Sequence, residues 1–201
     1  MPRSSLLTPS KGLKDRVIGA LVTRLDRLPS LVRQHLPSQL EHWAKLCILN
    51  DGDTIHAAEM VKRTEDNRDR TFVRYETYVD VYADNPEKES EFELQTFYGQ
   101  LEHIIAVHFY TPAALKDLGL GTDPTTFVLA AIRACIVEEG LTNEWLDIHY
   151  YKDFGTLDVL DVTCIQCCVG RVPVLHPPGL KRYAIVDRSG SLARALAIDN
   201  K

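Results

Sequence analysis

The sequence predicts an α+β protein: short N-terminal helices, then an antiparallel β-barrel or sandwich-like domain, then a short C-terminal helix. Three observations carry that expectation. Apolar residues near the N-terminus recur at helical spacing, the period switches to two after Asn50-Asp51-Gly52-Asp53, and most later strands follow one another without helical pattern between them. The chain divides accordingly into a disordered lead-in (1–12), a basic helical segment (13–50), a β-rich domain (51–188) and a C-terminal helix and tail (189–201).

Residues 1–12 mix Pro, Ser, Lys and Gly without periodicity. From Leu13, the residues Val17, Ile18, Leu21, Val22 and Leu25 mark an amphipathic helix that Pro29 closes. Ser30 caps a second short helix carrying Leu31 and Val32. Pro37-Ser38 starts a third, with Leu40, Trp43, Ala44 and Cys47 on one face. Thr54 to Val61 reads ambiguously as strand. Thr71 to Tyr82 is a strand with Val73, Tyr75, Val79 and Val81 on one side, and Asp84 to Glu91 is an exposed acidic loop. Phe97 to Tyr110 is a long strand with Gly99 as its bulge or bend, followed by a loop over Thr111 to Thr126. Phe127 to Val137, apolar on both faces, is an internal strand. Leu146 to Tyr151 and Thr156 to Val172 form a hairpin around Asp153-Phe154-Gly155. Tyr183 to Val186 is a last strand, and Ser189 or Ser191 caps a helix over Leu192 to Ile198.

At 201 residues and 45% hydrophobic, the chain can bury a sizeable core, and no apolar run is long enough for a membrane helix. Five cysteines, an odd number, with no Asn-x-Ser/Thr acceptor, point to a reducing intracellular compartment, nuclear or cytoplasmic. No membrane partner is expected. The net charge of −5 hides an asymmetry: residues 1–47 carry eight Lys/Arg against three acids, while the remainder stands at −10. Phosphate binding needs clustered positive charge, so the acidic part is a poor nucleic-acid surface. Lys11, Lys14, Arg16 and Arg24 of the N-terminal helices are the better candidates.

Catalytic patterns are not met. Asp187-Arg188-Ser189-Gly190-Ser191 lacks both glycines of a nucleophile elbow, and Gly119-Leu120-Gly121 has no following Gly-Lys-Ser/Thr. Cys164-Ile165-Gln166-Cys167-Cys168 contains a Cys-x-x-Cys pair. On one continuous strand, positions three apart face opposite sides, which points to packed thiols rather than a zinc site. The seven histidines have no recognisable partners, and no catalytic residue, metal or cofactor is expected. An aromatic surface offers a binding role, because converging rings hold cations; Tyr75, Tyr98, Trp145, Tyr150 and Tyr151 are its candidates.

Four stretches share a further texture: Phe72-Val73-Arg74-Tyr75-Glu76, Thr96-Phe97-Tyr98-Gly99-Gln100-Leu101-Glu102-His103-Ile104, Val169-Gly170-Arg171-Val172 and Ala184-Ile185-Val186-Asp187-Arg188-Ser189-Gly190-Ser191-Leu192-Ala193-Arg194-Ala195. In this order they resemble the C-terminal region of proteins encoded by basidiomycete DNA transposons of the CACTA-like, Plavaka and Kyakuja-Dileera-Zisupton kind. The resemblance implies a fungal nuclear context and a β-barrel accessory region, somewhat similar to chromatin-reader barrels of the bromo-adjacent-homology type. It implies no catalysis here, since the strand-transfer acids of such transposases belong to an RNase H-like core that no part of this chain matches. The expected function is thus a non-enzymatic accessory or interaction module that binds protein or chromatin. The alternative is nucleic-acid binding through the basic helices.

Overall fold

The computed structural model describes residues 4–49, 52–61, 69–141, 147–174 and 182–187. The start of the Asn50–Asp53 turn, Trp145 and the expected C-terminal helix lie outside these residues.

In chain order the elements are β1 (Ser4–Leu7), α1 (Lys11–Leu25), α2 (Pro29–His35), β2 (Leu40–Trp43), β3 (Lys45–Cys47), β4 (Thr54–His56), β5 (Phe72–Asp80), β6 (Phe92–Phe109), α3 (Pro112–Leu118), β7 (Thr125–Val137), β8 (Ile148–Asp161), β9 (Ile165–Cys168), β10 (Gly170–Val174) and β11 (Arg182–Val186). The protein is therefore α+β with a mostly antiparallel sheet. One ladder runs β1-β2-β6-β7-β8-β11-β10, and β5 joins β6 on the edge that β2 also uses. Val169 alone separates β9 from β10, and β9 pairs with β5, so the sheet curls into a half-barrel whose pairing returns to β5.

Several expectations change. The lead-in contains β1, which pairs with β2 from Ser4↔Trp43 to Leu7↔Leu40. The third helix is absent: Leu40–Trp43 and Lys45–Cys47 are strands, and Leu40 and His42 alternate inward with Glu41 and Trp43 less buried. The loop after Tyr110 contains α3, with the Thr111 hydroxyl accepting from the Ala114 amide, Pro112 at its first turn and Gly119 closing it at φ 73°. The expected hairpin around Gly155 is one strand, β8, which ends in a 3-10 turn over Val162–Cys164 capped by Asp161; β10 then runs in the same sense as β8, with β11 between them.

Three apolar clusters hold these elements. Beneath the helices, Leu13, Val17, Ile18 and Leu21 of α1 meet Leu115 and Leu118 of α3 and Ile105, Val107 and Phe109 of β6. On the other face of β6, Leu101 and Ile104 pack with Val73, Tyr75, Ile132 and Ile55. The third cluster gathers Phe72, Tyr98, Cys135, Tyr151, Cys167, Val169 and Ile185 from β5 to β11. A bulge between Leu101 and His103 makes this possible. It inverts the alternation along β6, so Leu101 and Ile105 lie in different clusters, and the bulged Glu102 accepts both nitrogens of Arg133 at 2.6 and 3.2 Å.

Candidate functional site

An exposed apolar surface lies at the far end of the β5–β6 hairpin. The hairpin pairs in unbroken register from Phe72↔Gln100 to Asp80↔Phe92. Its neighbours leave early: β9 reaches only Tyr75 on β5, and β7 begins pairing β6 at Gly99. Glu76–Asp80 and Phe92–Thr96 thus form a two-stranded ribbon with neither outer edge paired among the described residues. Period-two alternation sorts its side chains. Tyr78, Phe92 and Leu94 share one face at 68%, 62% and 55% exposure, with Tyr78 directly opposite Leu94. The tip is tied by Asp80, whose carboxylate accepts from the Tyr82 and Glu91 amides at 3.0 and 3.1 Å. The Ser90 hydroxyl, then the Tyr82 and Glu91 amides, hold that carboxyl below its usual range. Residues 76–94 contain seven carboxylates and a single lysine, Lys88, whose ammonium lies 3.9 Å from the Tyr82 ring centre.

The five aromatic candidates do not converge on one pocket. Tyr75 is buried in the second cluster, stacked on Phe97 at 5.7 Å. Tyr98 and Tyr151 are buried together in the third, and Tyr150 faces the opposite side of β8 from Tyr151. Trp145 lies outside the described residues. Sequence reasoning missed the aromatic pair that does hold a cation: the Arg171 guanidinium lies 4.8 Å from the Phe72 ring and 3.7 Å from the Tyr183 ring, and Tyr183 stacks on Tyr151. The Asp69 carboxylate is 3.8 Å from the same guanidinium.

Beside this cluster runs a polar network. Arg74 donates to Asp187 at 3.0 Å, and the Tyr98 hydroxyl lies 3.1 Å from the same carboxylate oxygen and 2.9 Å from His149 Nε2. A carboxylate can only accept, so Tyr98 gives its proton to Asp187 and its oxygen accepts from His149. Burial, followed by the charge of Asp187, pushes the Tyr98 hydroxyl above its usual range, and burial lowers His149. The network therefore ties together β5, β6, β8 and the residue that follows β11.

Four other histidines have partners that the sequence did not disclose. His42 Nε2 and His103 Nδ1 are 3.3 Å apart where β2 meets β6. His108 lies 2.8 Å from both Glu41 and Thr126, forming a polar row across β2, β6 and β7. His35 is 2.8 Å from Asp117. All five cysteines are thiols; Cys167 and Cys168 face different clusters because β9 alternates. No group of metal-binding side chains is present among the described residues. Of the basic candidates, Arg24 is ion-paired with Asp161 and lies over the Phe127 ring at 4.9 Å. Lys11 and Arg16 are exposed and Lys14 is half-buried, but a helix turn of about 100° per residue puts Arg16 across from Lys14.

Fold and surface together define an α+β protein with a half-barrel antiparallel sheet that carries an acidic, apolar-faced ribbon. No helix among the described residues is long and apolar enough to cross a membrane. No protein-family model matches the chain, and no curated protein or solved structure matches it either.

Proposed function

We propose that this chain is a non-enzymatic interaction module, an accessory domain derived from a DNA-transposon protein, that binds a protein partner of the chromatin kind through the β5–β6 ribbon. The observation that carries the reading is the ribbon itself. An isolated two-stranded hairpin is marginal in water, yet this one presents Tyr78, Phe92 and Leu94 to solvent on one face. Its surplus of carboxylates suits a basic partner such as a histone tail. An open aromatic cage is a weaker basis for recognition, because Arg171 already fills the Phe72–Tyr183 space.

The test is fluorescence anisotropy with labelled core-histone tail peptides and with labelled duplex DNA, for the natural chain and for a Tyr78→Ser, Phe92→Ser, Leu94→Ser variant. Tail binding that the variant loses supports the module. Binding to DNA alone, weakening steeply with salt and lost in a Lys11→Glu, Lys14→Glu, Arg16→Glu variant, replaces it with the nucleic-acid reading. Binding to neither probe overturns the choice of partner.

A further inference from the structure

The ribbon's backbone specifies more than a sticky face. At both ends of the hairpin the inward bonds fall on odd-numbered residues: the Val81 amide donates to the Glu91 carbonyl at 2.9 Å, and the Leu101 amide to the Thr71 carbonyl at 2.8 Å. Such pairs alternate with non-bonded ones, so 79↔93 and 77↔95 also bond inward. Phe92, Leu94 and Thr96 must then aim their N–H and C=O groups away from β5, at the edge that β7 has left. Two of these three residues are also the exposed apolar ones. The opposite face of the same strand carries Glu91, Glu93 and Gln95.

From this we infer that the outer edge of β6 over Phe92–Thr96 accepts an extended segment of the partner protein as an added strand, the segment alternating basic with apolar residues. The inference rests on the ribbon being the binding element and adds how it binds. Main-chain hydrogen bonds supply the attachment, and the two faces of the edge select the side chains. Apolar residues of the added strand cover Phe92 and Leu94, while its Lys or Arg residues meet Glu91 and Glu93 on the other face. A second copy of this chain is a poor occupant. Edge-to-edge pairing of two such strands sets the carboxylates of Glu91 and Glu93 against their counterparts, which opposes association and keeps the edge open for a basic strand.

The probe is a fluorescein-labelled octapeptide of alternating lysine and valine, compared with an octapeptide of four lysines followed by four valines, of identical charge and composition. The alternating peptide is expected to bind at least about tenfold more tightly. Two further peptides carry N-methyl groups on every lysine or on every valine. Only one set of amides faces the protein in an added strand, so one of the two loses binding by about tenfold and the other holds within about threefold. Amide exchange at Phe92, Leu94 and Thr96 should slow in the complex. Equal binding of the alternating and block peptides, or equal effects of the two methylated ones, overturns strand addition. The outcome also separates the two levels. If histone tails still depend on Tyr78, Phe92 and Leu94 while the methylated peptides behave alike, the ribbon remains the binding element and only edge pairing fails. If no probe depends on the ribbon, both fail.

Discussion

Gly99 leaves no room for a side chain between β6 and β7: a Cβ there would stand 2.5 Å from Ile132 Cγ2 and 2.7 Å from the Arg133 carbonyl oxygen. The second neighbour is backbone and cannot swing aside, so Gly99→Ala should destabilise the fold by about 1–3 kcal/mol, read as a lower urea midpoint. The sequence singles out this glycine for a bend or bulge. The bulge itself falls three residues on, at Glu102, where no Gly or Pro marks it and only the Arg133 contact explains it. His42 supports a second prediction. Burial, and then the neighbouring His103, push its pKa down from 6.5 to about 4, and burial also lowers His103. The unfolded chain therefore takes up protons that the folded one refuses. Stability is fully present above pH 6.5 and falls as pH drops, with His42 alone accounting for about 3 kcal/mol by pH 4. Urea titrations between pH 7.5 and 4.5 should show that slope, and His42→Leu should flatten it.

Among elements, α3 carries its signals in the sequence: Thr111, Pro112 and Gly119 are cap, first-turn and C-terminal residues, set in a stretch whose Pro, Gly and Asp content reads as loop. Thr111→Ala should cost about 1 kcal/mol, measured in the same urea experiment. The segment Leu40–Cys47 failed for a different reason. Leu40, Trp43, Ala44 and Cys47 fit a helical stripe, but β1 and β6 flank Leu40–Trp43 and β4 pairs with Lys45–Cys47, and tertiary pairing overrides a four-residue periodicity. The β8 strand crosses the Asp153-Phe154-Gly155 turn signal because β7 pairs with it on either side, at Leu157 and Tyr151. The sequence places the first ribbon strand over Thr71–Tyr82, two residues beyond its end at Asp80, and starts the second at Phe97, five residues after its beginning at Phe92. The intervening stretch, Phe92–Thr96, has no partner on its outer side among the described residues and hence no long-range packing there to betray it. Its outward amides, with those of Glu76 and Tyr78, should exchange faster than those of Val79 and Glu93 in a hydrogen-exchange measurement.

At the scale of the whole chain, the basic N-terminal region and the acidic remainder are not separate bodies. Leu13, Val17, Ile18 and Leu21 of α1 share a cluster with β6 and β7, so removing residues 1–47 should expose Ile105, Val107 and Leu129 and leave an aggregating product in size-exclusion chromatography. Charge reversal at Lys11, Lys14 and Arg16 leaves that cluster intact and should elute as the natural chain does. The α+β class and the antiparallel character of the sheet were legible because they rest on periodicity along the chain. The return of the sheet to β5 was not, since it depends on Val169 joining two strands that read as one.

Arg171 gives these scales a common consequence. Its guanidinium occupies the space between two ring faces, with a carboxylate at hand, which is the chemistry a reader of positively charged side chains presents to its ligand. Here the ligand is built into the chain. Losing that single arginine would leave two rings and a carboxylate without the cation that joins β10 to β5 and β11, so the chain keeps for its own cohesion the chemistry that a reader spends on a ligand.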